Sequence, residues 1–338
     1  MELNYLWFLI VGFLFVGYFV LDGFDFGVGM SLPFLAKDDV DRRVLINTIG
    51  PVWDLNETWL IVAGACLFAA FPEWYATLFS GFYLALLLIL LSLILRGVSF
   101  EYRHQGKGEK WTRAFDRMIF IGSVVPGFLW GVAFANMVQG VPIDANFHYT
   151  GDLLTLLNPY ALLGGATTLL LFFTHGLVFV SLKTDGEMRA RARALASKAG
   201  IAAIVVAALF LGLTVIEHLD SPHLVVIIAA AAVAAVSLVS AWFANRQGNE
   251  GRAFAAMAVT TLFAVATILA ALFPNVMVSS TDPAFSLTIE NASSTPYTLT
   301  LMTWVAGFSL PLVIGYQAWT YWIFRKRVTR QTVLDSAH

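Results

Sequence analysis

Long apolar runs separated by short polar stretches repeat from one end of the chain to the other. Nine of them, at 6–29, 51–71, 75–96, 118–138, 159–182, 199–216, 223–243, 254–273 and 301–324, are close to the length a helix needs to cross a hydrocarbon core of about 30 Å, which is about 20 residues. The pattern predicts an all-α, polytopic membrane protein in which 1–338 forms a single integral-membrane domain. The second run is the weakest, because it contains Asp54, Asn56 and Glu57. Residues 5–20 resemble the start of a signal peptide. Glu2 precedes them, however, with no basic segment before and no small-residue cleavage site after, so they read as the first mature helix.

The polar stretches alternate in charge. Lys37, Arg42 and Arg43 lie after the first run, and Arg96, Arg103, Lys107, Lys110, Arg113 and Arg117 at or after the third. Lys183, Arg189, Arg191, Arg193 and Lys198 follow the fifth, Arg246 and Arg252 the seventh, and Arg325, Lys326, Arg327 and Arg330 the ninth. These are all 20 of the basic side chains, and the even-numbered stretches have none. Because Lys and Arg are retained on the cytoplasmic side, the alternation predicts an N-terminus outside and a C-terminus in the cytoplasm. Two outer stretches are long, 139–158 and 274–300. The second is rich in Ser, Thr and Asn, and suits a small cap or a partner contact.

Composition narrows the function. The chain is 59% hydrophobic and 12% charged, against about 25% charged in soluble domains. With a net charge of -2 and no basic domain, nothing points to nucleic acid. Cys66 stands alone and forms no internal disulfide. Gly23, Gly27 and Gly29 lie at the end of an apolar run rather than after a strand, which excludes a nucleotide-binding glycine loop. Gly127 and Gly131 give a small-residue face for close helix contact.

Charged groups inside apolar runs are expensive and therefore informative. Asp22 and Asp25 are three apart near the end of the first run, and Asp54 and Glu57 are three apart at the start of the second, so each pair shares a helical side. By the predicted topology both pairs lie toward the cytoplasm, where they line a proton-uptake crevice or serve as structural hydrogen-bonding and helix-capping groups. Arg96 snorkels to the headgroups, balances one of the acids or reaches an anionic cofactor group in a partner. His175 lies deep in the fifth run with no evident second ligand, and satisfied polar packing is its expected role. His218 and His223 flank an outer turn with Glu217 and Asp220, at most a weak, exposed metal site.

Several stretches together resemble subunit II of the cytochrome bd quinol oxidase family, including its cyanide-insensitive members. They are DGFDFGVG from Asp22, RRVLINTIGPVWDLNETWL from Arg42, FSGFYLALLLIL from Phe79, LILRGVSFEYR from Leu93, GVAFANMVQGVP from Gly131, LLNPYALLGG from Leu156, FPNVMVSS from Phe273 and LTLMTWVAGFSLPLVIGYQAWTYW from Leu299. The resemblance spans essentially the whole chain. It implies two four-helix bundles plus one peripheral helix, in a bacterial cytoplasmic membrane. It also implies a partner, subunit I, which carries the quinol site, two haem b groups and one haem d group, in a complex that oxidises quinol and reduces dioxygen to water. No complete catalytic centre is then expected in this chain, which stabilises the partner and supplies a cytoplasmic proton route. A structural quinone, small accessory membrane subunits and bound membrane lipids are compatible with that membership.

By the same resemblance Asp54 and Asp25 are the proton-path residues, with Glu57 and Asp22 beside them, and Arg96 holds the charge balance near the partner's haems. Where many members read WDGN, this chain reads Trp53-Asp54-Leu55-Asn56, followed by Glu57 and Thr58. Leu55 for glycine narrows any water path there, and Glu57 adds a carboxylate. The alternative function is a proton-coupled secondary transporter, which also uses membrane carboxylates in a helical bundle.

Overall fold

The computed structural model describes residues 2–106 and 108–335, so Lys107 of the charge pattern lies outside the described residues. The nine apolar runs are, in order, α1 (Leu3–Leu35), α3 (Trp53–Ala70), α5 (Tyr83–Tyr102), α6 (Glu109–Gln139), α7 (Pro159–Lys183), α8 (Gly186–Glu217), α9 (Leu224–Arg246), α10 (Glu250–Leu272) and α11 (Pro296–Ile323). Three short helices, α2 (Asp39–Ile49), α4 (Pro72–Gly81) and α12 (Arg330–Asp335), lie between or after them. Among the described residues 8 helices are individually long and apolar enough to cross a membrane. The ninth crossing is α3, whose polar first turns lower its hydropathy and which is bent 46° from α2.

Several boundaries depart from the apolar pattern. The run at 6–29 extends through Pro33 to Leu35, so Asp22 and Asp25 lie deep in a continuous helix rather than at its end. The glycines there serve close packing. A Cβ on Gly27 would lie 2.0 Å from the Phe172 carbonyl oxygen, and one on Gly176 2.2 Å from the Gly27 carbonyl carbon. Only residues without side chains let α1 and α7 approach so closely. The run at 75–96 is divided at Phe82 into α4 and α5. α2 has no counterpart among the apolar runs because it is short and half polar. The Asp38 side chain caps it by accepting from the Asp41 N–H at 2.8 Å, and Asp39 and Asp41 in its first turn suit the positive end of the helix dipole. α8 begins well before residue 199, because its arginine-bearing first turns remain helical on the polar side of the bundle.

α1 is the centre of the bundle, touching α3, α6, α7 and α10. α7, α8, α9 and α10 each pack on the next, and α10 returns to α7. α5 packs on α6, and α11 stands outside: of its 28 residues only Leu299, Gln317 and Thr320 are buried.

The structure gathers the described basic stretches at one end. Arg103 bonds Asp39 and Asp116 there, Lys37 meets Glu187, Arg191 and Arg330 both reach Asp41, and Arg189 holds Glu250. At the opposite end the two long stretches form a small cap. The Val141 N–H donates to the Val278 carbonyl at 3.0 Å, and β1 (Asn275–Met277) pairs antiparallel with β2 (Leu287–Thr288).

Candidate functional site

Four helices bring polar side chains together inside the bundle. Arg96 of α5 is 0% exposed, too deep to snorkel. Its Nη2 donates to Asp22 Oδ1 on α1 and to Glu57 Oε2 on α3, the latter at 3.2 Å. Its guanidinium lies over the Phe26 ring, 4.3 Å from the centroid, with Phe100 on another side at 5.8 Å. A delocalised, weakly hydrated cation suits this aromatic, water-poor setting better than an ammonium would.

Asp25, one turn beyond Asp22, is held separately. Its Oδ2 accepts from Asn56 Nδ2 at 2.7 Å, and the same amide donates to the Leu21 carbonyl at 3.3 Å. Asn56 Oδ1 in turn accepts from Gln317 Nε2 and from the Tyr321 hydroxyl, each at 2.8 Å. Trp59 Nε1 donates to Gln317 Oε1 at 3.3 Å. Asn56 therefore ties α1 to α3 and α11, and with Trp7, which donates to the Leu299 carbonyl and the Thr303 hydroxyl, it gives the largely exposed α11 a polar hold on α1. Three carboxylates face one guanidinium in this cluster. Their excess charge is not balanced among the described residues, which calls for protons or for cations from outside the chain.

The predicted acids are thus only partly brought together. Asp22, Asp25, Glu57 and Arg96 form one site, and Glu57, with 21% of its side chain exposed, is its link to the surface. Asp54 is exposed in the first turn of α3, outside the cluster and shallower than its apolar neighbours suggest. Leu55 beside it is half-buried. Neither Gln317 nor Tyr321 stood among the candidate site residues. The only signal for them was an amide and a phenol four residues apart in the last apolar run.

His175 does not have the satisfied packing expected of it. It is buried, with neither ring nitrogen hydrogen-bonded among the described residues, and is enclosed by Phe254 and Phe24 at centroid distances of 4.8 and 5.6 Å. Two phenyl rings pack against this imidazole, and no second ligand stands beside it among the described residues. Among the described residues no group of three or more His, Cys, Asp or Glu is spaced to hold a metal.

On the other side of α1 lies an apolar cavity of about 240 Å³, walled by residues such as Phe19, Phe134, Phe172, Leu211 and Leu238. Its polar side chains are already committed as donors. Thr168 bonds the Gly127 carbonyl at 2.7 Å, Thr167 the Leu163 carbonyl at 2.8 Å, Thr260 and Thr261 their own helix, and Trp130 the Tyr18 hydroxyl.

Comparison with known proteins agrees with this architecture over nearly the full length. The family model for cytochrome bd terminal oxidase subunit II matches residues 3–324. Cytochrome bd ubiquinol oxidase subunit 2 of Bacillus subtilis is 42% identical, over 98% of each chain. Cytochrome bd-I ubiquinol oxidase subunit 2 of Escherichia coli is 37% identical, over 99% of this chain and 98% of that one. In the structure of bd oxidase from Geobacillus thermodenitrificans, one chain aligns at a TM-score of 0.77 over 96% of this chain and 99% of its own. Their 16% identity makes this a likeness of fold.

Proposed function

The chain belongs to the cytochrome bd terminal oxidase subunit II family, and from that premise we propose that it is the second subunit of a quinol:oxygen oxidoreductase in a bacterial inner membrane. In this reading its partner is a haem-bearing subunit I, and the two haem b groups and one haem d group reside there and supply the oxygen chemistry. This chain stabilises that partner and delivers protons. The basic end faces the cytoplasm, as the retention of Lys and Arg on that side favours. The transporter alternative finds no support in the family assignment.

The observation that carries the proton role is the buried cluster with more carboxylates than cations. Unpaired acids are kept in a membrane interior chiefly where ions or protons pass. Asp54 is the outer acid, one turn before Glu57 on α3. Glu57 reaches inward to Arg96 and Asp22, and Asn56 orients Asp25 beside them. Arg96 limits the build-up of negative charge as protons leave. The exposed apolar faces of α3, α5 and α11 suit lipid, the partner and small accessory subunits. The apolar cavity beside α1 suits the isoprenoid tail of a structural quinone, whereas a quinone ring's carbonyls would meet no uncommitted donor there.

The test is Asp25→Asn and Asp54→Asn in the purified two-subunit complex. Each is expected to lower oxygen-reduction turnover per haem by about tenfold or more, on the scale of losing one positioned proton-transfer group, with haem content retained. Unchanged turnover and unchanged proton uptake in both variants would reject a required role for these acids.

A further inference from the structure

At the basic end, between the last turns of α7 and α11 and the turn that joins α2 to α3, lies a cavity of about 1020 Å³. Its walls are of two kinds. Phe179, Leu182, Phe254 and Ile323 make an apolar side, while Lys183, Arg325, Lys326 and Arg327 supply four cations, and no Asp or Glu lines it. None of these four forms an ion pair among the described residues; Lys183 instead donates to the Phe324 and Lys326 carbonyls, and Arg325 to the Trp322 carbonyl.

The neighbouring cavity shows that this is not simply what a basic end looks like. It holds Lys37, Arg191 and Arg330, and each is matched there by Glu187, Asp38 or Asp41. In the first cavity the cations are left without counter-charge, in a chain whose net charge is -2. It also sits where two membrane helices end, at the level at which hydrocarbon gives way to headgroups.

We propose that this cavity is a binding site for an anionic phospholipid, its phosphate held by Arg325, Lys326 and Arg327 and an acyl chain laid against Phe179, Leu182 and Ile323. A basic pocket between helix ends over an apolar wall is the chemistry that selects an acidic headgroup from a mixed bilayer. A soluble phosphate would use the cations alone and leave the apolar side unfilled.

The test compares two charge-matched triple variants of the purified complex, washed in detergent and weighed by native mass spectrometry. Arg325→Gln/Lys326→Gln/Arg327→Gln removes the site's cations. Lys110→Gln/Lys198→Gln/Arg252→Gln removes three exposed cations of the same end that do not line the cavity. Wild type and control are expected to retain phosphatidylglycerol or cardiolipin. The site variant should bind added phosphatidylglycerol about a hundredfold more weakly, at the scale of one headgroup interaction for each lost cation, with phosphatidylcholine binding unchanged in all three.

Equal retention in the site variant overturns the proposal, as does equal loss in the control, which would mean a diffuse surface effect. Loss of the partner subunit in place of lipid would show that the cavity is filled by protein. Displacement of the bound lipid by inorganic phosphate alone would show a free-anion site.

Discussion

The two sides of α1 are built on opposite principles. Toward α3, α5 and α11 it presents Asp22 and Asp25, which bond Arg96 and Asn56 and, through Asn56, connect to Gln317 and Tyr321. Toward α7 to α10 it presents Phe19 and glycines, and the space left over is an apolar cavity whose threonine hydroxyls are taken up by backbone carbonyls. One side is costly in desolvation and only partly bonded, with Asp22 Oδ2, Asp25 Oδ1 and two of the Arg96 guanidinium nitrogens buried without a hydrogen-bond partner among the described residues. The other is inexpensive and loosely filled. A single helix thus separates a region suited to charge from one suited to hydrocarbon, and damage to each should differ in size.

The largest effect is expected at Arg96. Arg96→Leu leaves Asp22 and Glu57 buried without their cation, and breaking one partner of a buried pair costs about 3–5 kcal/mol. Thermal unfolding of the purified complex should show it as a large fall in Tm with loss of bound haem. A Tm within a degree or two of wild type would mean that the carboxylates are already neutral in the ground state.

Asn56→Leu is next. It strips Asp25, Gln317 and Tyr321 of one partner each, at about 1–3 kcal/mol for buried groups left unsatisfied, and should also loosen α11, read as faster proteolysis at the last helix. On the apolar side, Ala264→Leu extends into the 240 Å³ cavity. Such a substitution should cost less than about 1.5 kcal/mol if the space accepts it, leaving turnover unchanged. A cost as large as that of Arg96→Leu would erase the contrast between the two sides.

The smallest effect is at the surface of the basic end. The Arg330 side chain bonds Asp38 and holds that carboxyl below its ordinary range, helped by the backbone N–H of Asp41. A lowered folded-state value contributes stability above the unfolded carboxylate range and loses it as pH falls through the folded value. Both side chains are about half exposed, and the buried Asp41, which Arg330 also bonds, keeps Arg191 as a partner, so Arg330→Gln should cost about 1 kcal/mol near pH 7 after solvent screening. The difference should shrink as pH falls through the folded-state value of Asp38 and vanish once that carboxyl is protonated in the folded chain too, as denaturant unfolding at neutral and at strongly acidic pH would show.

What could be read from the sequence follows the cost of burial. Asp22, Asp25, Glu57 and Arg96 stand out because an ionisable group in an apolar run needs a reason, and the structure places all four together. Asp54 has the same chemistry, yet three residues on a helix leave about a 60° offset, enough to turn Glu57 inward and Asp54 outward. Gln317 and Tyr321 were not legible because an amide and a phenol near a helix end are ordinary there, and only the fold shows that they meet Asn56. α2 is too short and too polar to register in an apolar count. Neither cavity has a sequence signature, since a void is a property of what fails to meet.

The short tail helix α12 has a consequence for how the chain is made. Arg330 clasps Asp38 and Asp41 across 292 and 289 positions, and Arg43 reaches back to the Val333 carbonyl. The segment after α1 is synthesised long before Arg330, so Asp39 and Asp41 meet Arg103 and Arg191 first and Asp38 gains its arginine last. A chain cut before Arg330 would therefore insert its helices and still lack this clasp.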